Sequence, residues 1–395
     1  MVEFSEDEIK KLEKGNNEVK EWVLSHGFKE EEWPEIPRKE DAEGEALVEA
    51  NPILGIEKYL GMADSAKRIA YFPSLKLTND SFRTKTYIRF DRSLKEDVVI
   101  FGDKLAEGKE LKRFNNILNV FREMTGIRTK CVVVSRHIPK VPAKGKGLGL
   151  SASAGGAVAK ALVESVLPEV SGNNRFLSVL ARFLSGSGTS SAAGGFSVWF
   201  SHPGIRSEDS YAVRMDRGVD IKLVVVPIPA MFKTESAHKA AVKSPLYKHW
   251  ALSKAGNVID LMECIQKNDI DGIGRHAEND ALNLFHLLVT GDGFFNWEPF
   301  SLDIARKVVL LRRELGLTAY FTMDTGPSVA ILTNGKDAES VKKEVGKFIK
   351  DSGKDYSVYI AEPMGEPRKL NLSEREEIIT PDVMSLLRER GVEIG

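Results

Sequence analysis

Apolar residues change their spacing along the chain, and the changes mark out its elements. In residues 1–45, rich in Glu and Lys, the residues Ile9, Leu12, Val19, Trp22 and Val23 fall at rough helical spacing. This predicts one or two amphipathic helices. The segment around Trp33, Pro34, Ile36 and Pro37 reads as a connection into the main body. From about Asn51 the texture changes. Residues 87–90 and 98–101 are short β-like runs, 110–124 has a helical pattern, and 129–135 (TKCVVVS) is a strong strand candidate. A Gly/Ser-rich segment at 145–156 runs directly into AVAKALVESV, a helix candidate, and a second at 185–195 leads into FSVWF. Residues 220–227 (DIKLVVVP) predict another strand, followed by helical patterns at 251–267, 270–288 and 302–315. A strand–loop, AYFTMDTGPSVAILT, precedes a final helix and strand.

Strands and long helices alternate in both halves without strict βαβ regularity. The expected class is α+β with two lobes meeting near residue 215: an extension at 1–45, a first domain at 46–215 and a second at 216–395. Hydrophobic residues at 42% and charged residues at 29% suffice for a sizeable core. A net charge of −1 gives no reason to expect nucleic acid or an anionic membrane as partner. A small anionic substrate would need a local basic pocket instead. Cys131 and Cys264 lie far apart, so neither a disulfide framework nor a zinc site is expected. The seven histidines show no HExxH-type spacing, and no metal is expected. The charged N-terminus does not read as a signal peptide, and no apolar run is long enough to span a bilayer. The cytoplasm is the expected compartment.

Two segments carry candidate chemistry. In GKGLGLSASAGGA (145–157), glycines let the backbone approach a ligand, and the following helix start offers free N–H groups. Lys144 and Lys146 add charge. The same composition also suits a flexible loop before an Ala-rich helix. The absence of a GK[ST] ending excludes a Walker A loop. In SGSGTSSAAGG (185–195), clustered hydroxyls can hold phosphate oxygens, or the small residues can pack a helix tightly against a neighbour.

Taken in order, several segments resemble the GHMP kinase superfamily and, within it, the diphosphomevalonate decarboxylases. Residues 147–153 (GLGLSAS) resemble that family's GLxSSA phosphate loop, and 185–196 (SGSGTSSAAGGF) its SGSACRSxxGGF segment. Residues 57–61 (EKYLG) resemble its KYWGK motif, continued by 73–78, and 321–328 (FTMDTGPS) its TxDAGPN motif. Residues 233–247 follow the family's lysine-to-LF stretch, and 110–122 is similar to a helix bearing a substrate-binding arginine. The matches run from about residue 50 to 335; the first 45 residues have no counterpart in them. The resemblance implies a two-lobed fold, with a first lobe like ribosomal protein S5 domain 2 and an α/β-sandwich second lobe. It also implies a homodimer and a small phosphorylated mevalonate bound between the lobes. Asp324 matches the family's reaction-centre aspartate, Lys58 its lysine and Arg113 its helix-borne arginine. Ser151, Ser185 and Ser187 match serines that contact substrate or phosphate, with Lys146, Gly147 and Gly149 in the phosphate loop.

Three positions depart from the ATP-dependent pattern: Leu150 for a serine, Ser190 for an arginine and Met62 for a lysine. Each removes polarity or positive charge from the expected polyphosphate path. The resemblance then favours the branch that decarboxylates mevalonate 3,5-bisphosphate without ATP or any other cofactor. A decarboxylase using Mg-ATP, a mevalonate-type kinase and a non-catalytic metabolite sensor are the rivals. Taken alone, an arginine on a helix is usually a solvated residue, and an aspartate before Thr-Gly-Pro is usually a turn residue. The resemblance lifts Asp324 most, Lys58 next and Arg113 least. His286 reads as structural, and the aromatic and Met positions as core.

Overall fold

The computed structural model describes residues 2–143, 145–215, 218–230 and 234–394; Lys144 and Lys233 lie outside the described residues. The first lobe is built on Phe82–Asp91. This strand pairs antiparallel with Gly44–Ala50 on one side and with Lys130–Pro139 on the other. Val98–Phe101 then pairs parallel to Lys130–Pro139, and Lys104–Leu105 closes that edge. Successive side chains in a strand point to opposite faces, and here both faces are covered. Ile88, Phe90, Cys131 and Val133 join the core that includes the Ala-rich helix Leu150–Val166. Tyr87, Val132 and Val134 face the other way, in one cluster with Val98 and Ile100. Burial on both faces is why this strand reads TKCVVVS without polar alternation.

The end of the chain covers that second face. Arg368–Leu370 adds an edge strand beside Gly44–Ala50, with Leu370 opposite Leu47. The helix Pro381–Glu389 contributes Val383 and Leu387 to the cluster around Tyr87. The lobe boundary expected at residue 215 therefore does not hold to the C-terminus, because the stretch from 368 onward packs on the first lobe.

A second sheet orders Ile53–Glu57, Ser74–Thr78, Phe196–Trp199 and Ala212–Arg214 side by side. The helices Tyr247–Gln266 and Ile270–Asp292 pack on it. The third sheet, in the second lobe, runs Tyr320–Thr322, Val329–Thr333, Lys222–Val226, Tyr359–Ala361 and is antiparallel throughout. Pro299–Leu315 and Ala338–Asp351 cover it through Ile304, Val308, Val341 and Val345.

The N-terminal extension forms one long helix, Glu6–Ser25, rather than two. Ser5 caps it in a reciprocal arrangement with Glu8, which satisfies two otherwise orphaned N–H groups. Leu12 packs in a cluster with Leu60, Trp250 and Leu284, while Val19 and Val23 enter the main core. The connection that follows lies along the first lobe, with Trp33 edge-on to Phe176 at 5.6 Å and Glu30 paired to Arg175 at 3.0 Å.

The helix approaches Tyr247–Gln266 so closely that a Cβ on Gly15 would sit 2.6 Å from the Ala255 Cβ. Gly15→Val is expected to destabilise the protein by about 1–3 kcal/mol through overpacking. A lowered thermal midpoint checks this; an unchanged midpoint would mean that the extension is not docked as described.

Candidate active site

Four segments converge at the seam of the lobes. The loop 145–149 is zipped to 326–328. The Lys146 N–H donates to Ser328 Oγ (3.1 Å) and Ile228 O (3.0 Å), and the Ser328 N–H donates back to Lys146 O (3.2 Å). Gly147, at φ +87°, lies so close to Gly326 that a Cβ would come within 2.7 Å of its backbone. Gly149, at φ +67°, presses on Ile53, where a Cβ would meet the carbonyl oxygen at 2.1 Å. Side chains are excluded at both positions by contact as well as by backbone conformation.

The helix Leu150–Val166 begins immediately after Gly149 and has no side-chain cap. Its first-turn N–H groups and its dipole end are therefore suited to an anion. Ser151 is exposed in that first turn, and its Oγ lies 3.2 Å from Ser185 Oγ. Ser187 lies against the Tyr59 phenol. From Gly188 to Ala193 the second Gly/Ser segment is a wholly buried helix packed against Leu150–Val166. The segment thus combines both arrangements its composition allows: a hydroxyl rim at 185–187 and a tightly packed small-residue helix behind it.

Lys58 and Asp324 face each other across this rim. Lys58 follows the strand Ile53–Glu57. Its N–H donates to Asp280 Oδ2 at 2.7 Å, and its ammonium donates to Thr322 Oγ1 at 2.8 Å. The ammonium is 3.9 Å from Asp324 Oδ1. The Lys58 side chain is 4% exposed and that of Asp324 17%, so the carboxylate is the partner that reaches the cleft. Gly55 N–H also donates to Asp324, at 3.4 Å, and Asn296 fixes its backbone carbonyl at 3.2 Å. Burial pushes the Asp324 carboxyl up and the Lys58 ammonium down, and the opposite charge of each restrains the other.

Behind the pair, Lys254 is wholly buried between two carboxylates, donating to Glu57 and, at 2.7 Å, to Asp280 Oδ1. Burial alone would raise the Asp280 carboxyl. The ammoniums of Lys254 and Lys58 override it and hold Asp280 below the usual range. His276 reaches Glu57 at 3.0 Å.

Arg113 stands exposed on the helix Gly108–Thr125, at the mouth and not in contact with Asp324. Its charge acts on Lys146 and on Arg68. Burial, and then Arg113, push both of those cations down. Cations that Arg113 repels on either side of it favour an anion among them. Arg68, in a left-handed turn at φ +53°, was not legible as a site residue; nor were Tyr59, Thr322, Asp280 and His238. Burial first, then the charge of Arg68, brings the His238 imidazole down to about 4, so it is neutral near pH 7 and accepts the Gly61 N–H at 3.0 Å. Of the three departures, Leu150 packs partly into the first-lobe core and Met62 leans on Gly186. Ser190 is wholly buried with its Oγ unpartnered. His286, expected to be structural, is exposed. With Glu57, His276 and Asn283 it lines a hollow of about 440 Å³ that does not include Asp324. Among the described residues, no group of His, Cys, Asp or Glu is arranged to hold a metal ion, and no helix is long and apolar enough to cross a membrane.

Residues 50–212 match the family model described as the diphosphomevalonate decarboxylase-like N-terminal domain. The chain is 32% identical over 346 residues to the mevalonate 3,5-bisphosphate decarboxylase of Thermoplasma volcanium, covering 87% of this chain and 90% of that one. The chain belongs to the diphosphomevalonate decarboxylase-like family. Another relative, the phosphomevalonate decarboxylase of Haloferax volcanii, is 29% identical over 76% of this chain and 91% of its own. The mevalonate diphosphate decarboxylase structure from Enterococcus faecalis superposes with a TM-score of 0.73 at 26% identity, covering 84% of this chain and 100% of that one. The fold is accordingly the two-lobed α+β fold of GHMP kinase relatives.

Removing one member of a buried charge group leaves the others uncompensated, at about 3–5 kcal/mol. Lys254→Met is expected to lose that much stability, measured by denaturant titration. Asp280 contributes in the opposite sense to acid. Its folded pKa lies below the unfolded value, so its stabilisation is fully present above about pH 4 and is lost as pH falls further. Asp280→Asn is expected to flatten that acid limb of the stability profile.

Proposed function

We propose that this family member converts mevalonate 3,5-bisphosphate to isopentenyl phosphate, with release of phosphate and carbon dioxide and without ATP. The observation that carries this reading is the buried Lys58–Asp324 pair set against a serine rim whose helix begins with an apolar Leu150. The name borne by the Thermoplasma relative supports it.

The chemistry follows from charge. As the C3–O bond breaks, its electron pair leaves with the 3-phosphate and C3 becomes electron-poor. The C1–C2 bond then breaks, its pair forms the C2=C3 double bond, and C1 leaves as carbon dioxide. Ser151, Ser185, Ser187, Lys146 and the first-turn N–H groups receive the departing phosphate. Asp324 opposes the positive charge developing at C3, and Lys58 holds that carboxylate ionised and in place. Arg113 at the mouth takes the 5-phosphate. No hydroxyl has to be phosphorylated, so Asp324 need not act as a base. Leu150, Met62 and Ser190 then stand where a nucleotide no longer needs polar contacts. In this reading the enzyme acts in the cytoplasm as a homodimer, which light scattering at twice the chain mass would support.

The test is to incubate the protein with mevalonate 3,5-bisphosphate without ATP, and in parallel with mevalonate 5-phosphate or 5-diphosphate plus Mg-ATP. Carbon dioxide and isopentenyl phosphate are expected in the first tube only; turnover confined to the second would overturn the ATP-free reading. Asp324→Asn is expected to lower kcat by about 10²–10³-fold with the fold intact. A near-normal rate would remove Asp324 from its assigned role.

A further inference from the structure

One buried cation makes no ion pair with the Glu57, Asp280 and Asp324 carboxylates. Lys76, in the middle of Ser74–Thr78, is 1% exposed. It lies opposite Gly55 on one neighbouring strand and opposite Ser197 on the other. Directly opposed residues in an antiparallel ladder project to the same face. A Cβ on Gly55 would meet the Lys58 side chain at 2.7 Å and Asp324 Oδ1 at 3.0 Å. Lys76 therefore rises from the sheet on the face that carries the Lys58–Asp324 pair.

Its surroundings are unusual for a buried ammonium. Nζ donates to Ser74 Oγ at 2.6 Å and stands 5.2 Å and 5.0 Å from the ring centroids of Tyr59 and Trp199. Among the described residues no carboxylate lies within 4 Å of it, whereas Lys254, equally buried, holds two. Buried charges are normally paired, and an ammonium with one hydrogen bond made has two left to donate. Two hydroxyls on neighbouring elements also lack partners. Ser197 Oγ, on its ladder partner, and Ser190 Oγ are wholly buried without a hydrogen-bond partner. Ser190 belongs to the helix Gly188–Ala193, and its carbonyl accepts the hydroxyl of Thr78, two residues along from Lys76 on the same face.

We propose that Lys76, with Ser190 and Ser197, forms an anion subsite at the reacting end of the cleft, where its ammonium donates to a carboxylate or phosphate oxygen of the substrate beside Asp324. The assignment deepens the decarboxylase reading and rests on it. Electrostatics agree with the geometry. Without an anion, burial brings the Lys76 ammonium down to about 7; Asp324 offsets this only in part, and the charge of Lys254 adds to it. An arriving anion supplies the missing counter-charge and raises it again. Binding above pH 7 must therefore draw a proton onto Lys76.

Titration calorimetry at pH 8, in buffers of different ionisation enthalpy, reads that proton directly and needs no turnover. Inorganic phosphate probes a phosphate subsite, and mevalonate 5-phosphate, which has the carboxylate but no 3-phosphate, probes a carboxylate one. The wild-type protein is expected to take up about one proton more than Lys76→Met with one of the two probes. That probe is expected to bind the variant at least tenfold more weakly. Lys76→Arg, permanently charged, is expected to bind without the uptake. Equal affinities and equal proton counts in wild type and Lys76→Met with both probes would overturn the subsite. So would affinity for both probes in wild type that stays constant from pH 6 to 9, a check that holds even if the variants fold poorly. Failure of the wild type to release carbon dioxide from mevalonate 3,5-bisphosphate is a separate result, and it would count against the decarboxylase reading instead.

Discussion

The position of the Lys58–Asp324 pair depends on one buried charge cluster, in which Lys254 is held between Glu57 and Asp280. Glu57 ends a strand of the first lobe, while Lys254 and Asp280 belong to two helices packed on that strand. A second oxygen of Asp280 receives the N–H of Lys58, so the backbone of Lys58 is anchored by the group that neutralises Lys254. Three charges excluded from water are stable only in mutual reach. That requirement fixes strand and helices relative to each other, and with them the ammonium facing Asp324.

Around this fixed centre the cleft is built with more positive than negative charge. Arg113, Lys146, Arg68 and Lys76 each lack a carboxylate within 4 Å among the described residues, while Asp324 reaches the cleft and Glu235 acts on Arg68 from farther off. A small substrate bearing three anionic groups suits such a cleft, because each group replaces repulsion between fixed cations with attraction. Ser190 brings no charge to this end of the cleft, and Lys76 places a cation on the strand beside it.

Much of this was legible in the sequence, for identifiable reasons. The strand at Lys130–Pro139 announced itself because burial on both faces leaves an unbroken apolar run. The glycine loops were visible because close backbone approach demands glycine at Gly147 and Gly149 whatever the rest of the sequence does. Lys76 was not visible. In SLKLT, polar Ser74, Lys76 and Thr78 alternate with Leu75 and Leu77, the pattern of a half-exposed strand whose polar residues meet water. Here the Tyr59 and Trp199 rings and the helix Gly188–Ala193 cover that face, and only tertiary packing reveals it. The return of Arg368–Leu370 to the first lobe was equally silent, since a three-residue strand has too short a pattern to name its partner.

The extension helix Glu6–Ser25 bears on how the enzyme can move. Leu12 is embedded among side chains contributed by both lobes, and one helical face further on Val19 and Val23 are sealed into the main core. A hinge that swung the lobes apart as rigid bodies would have to pull these anchors out of two cores together. The helix therefore acts as a clasp over the seam, tying any opening of the lobes to the undocking of residues 6–25.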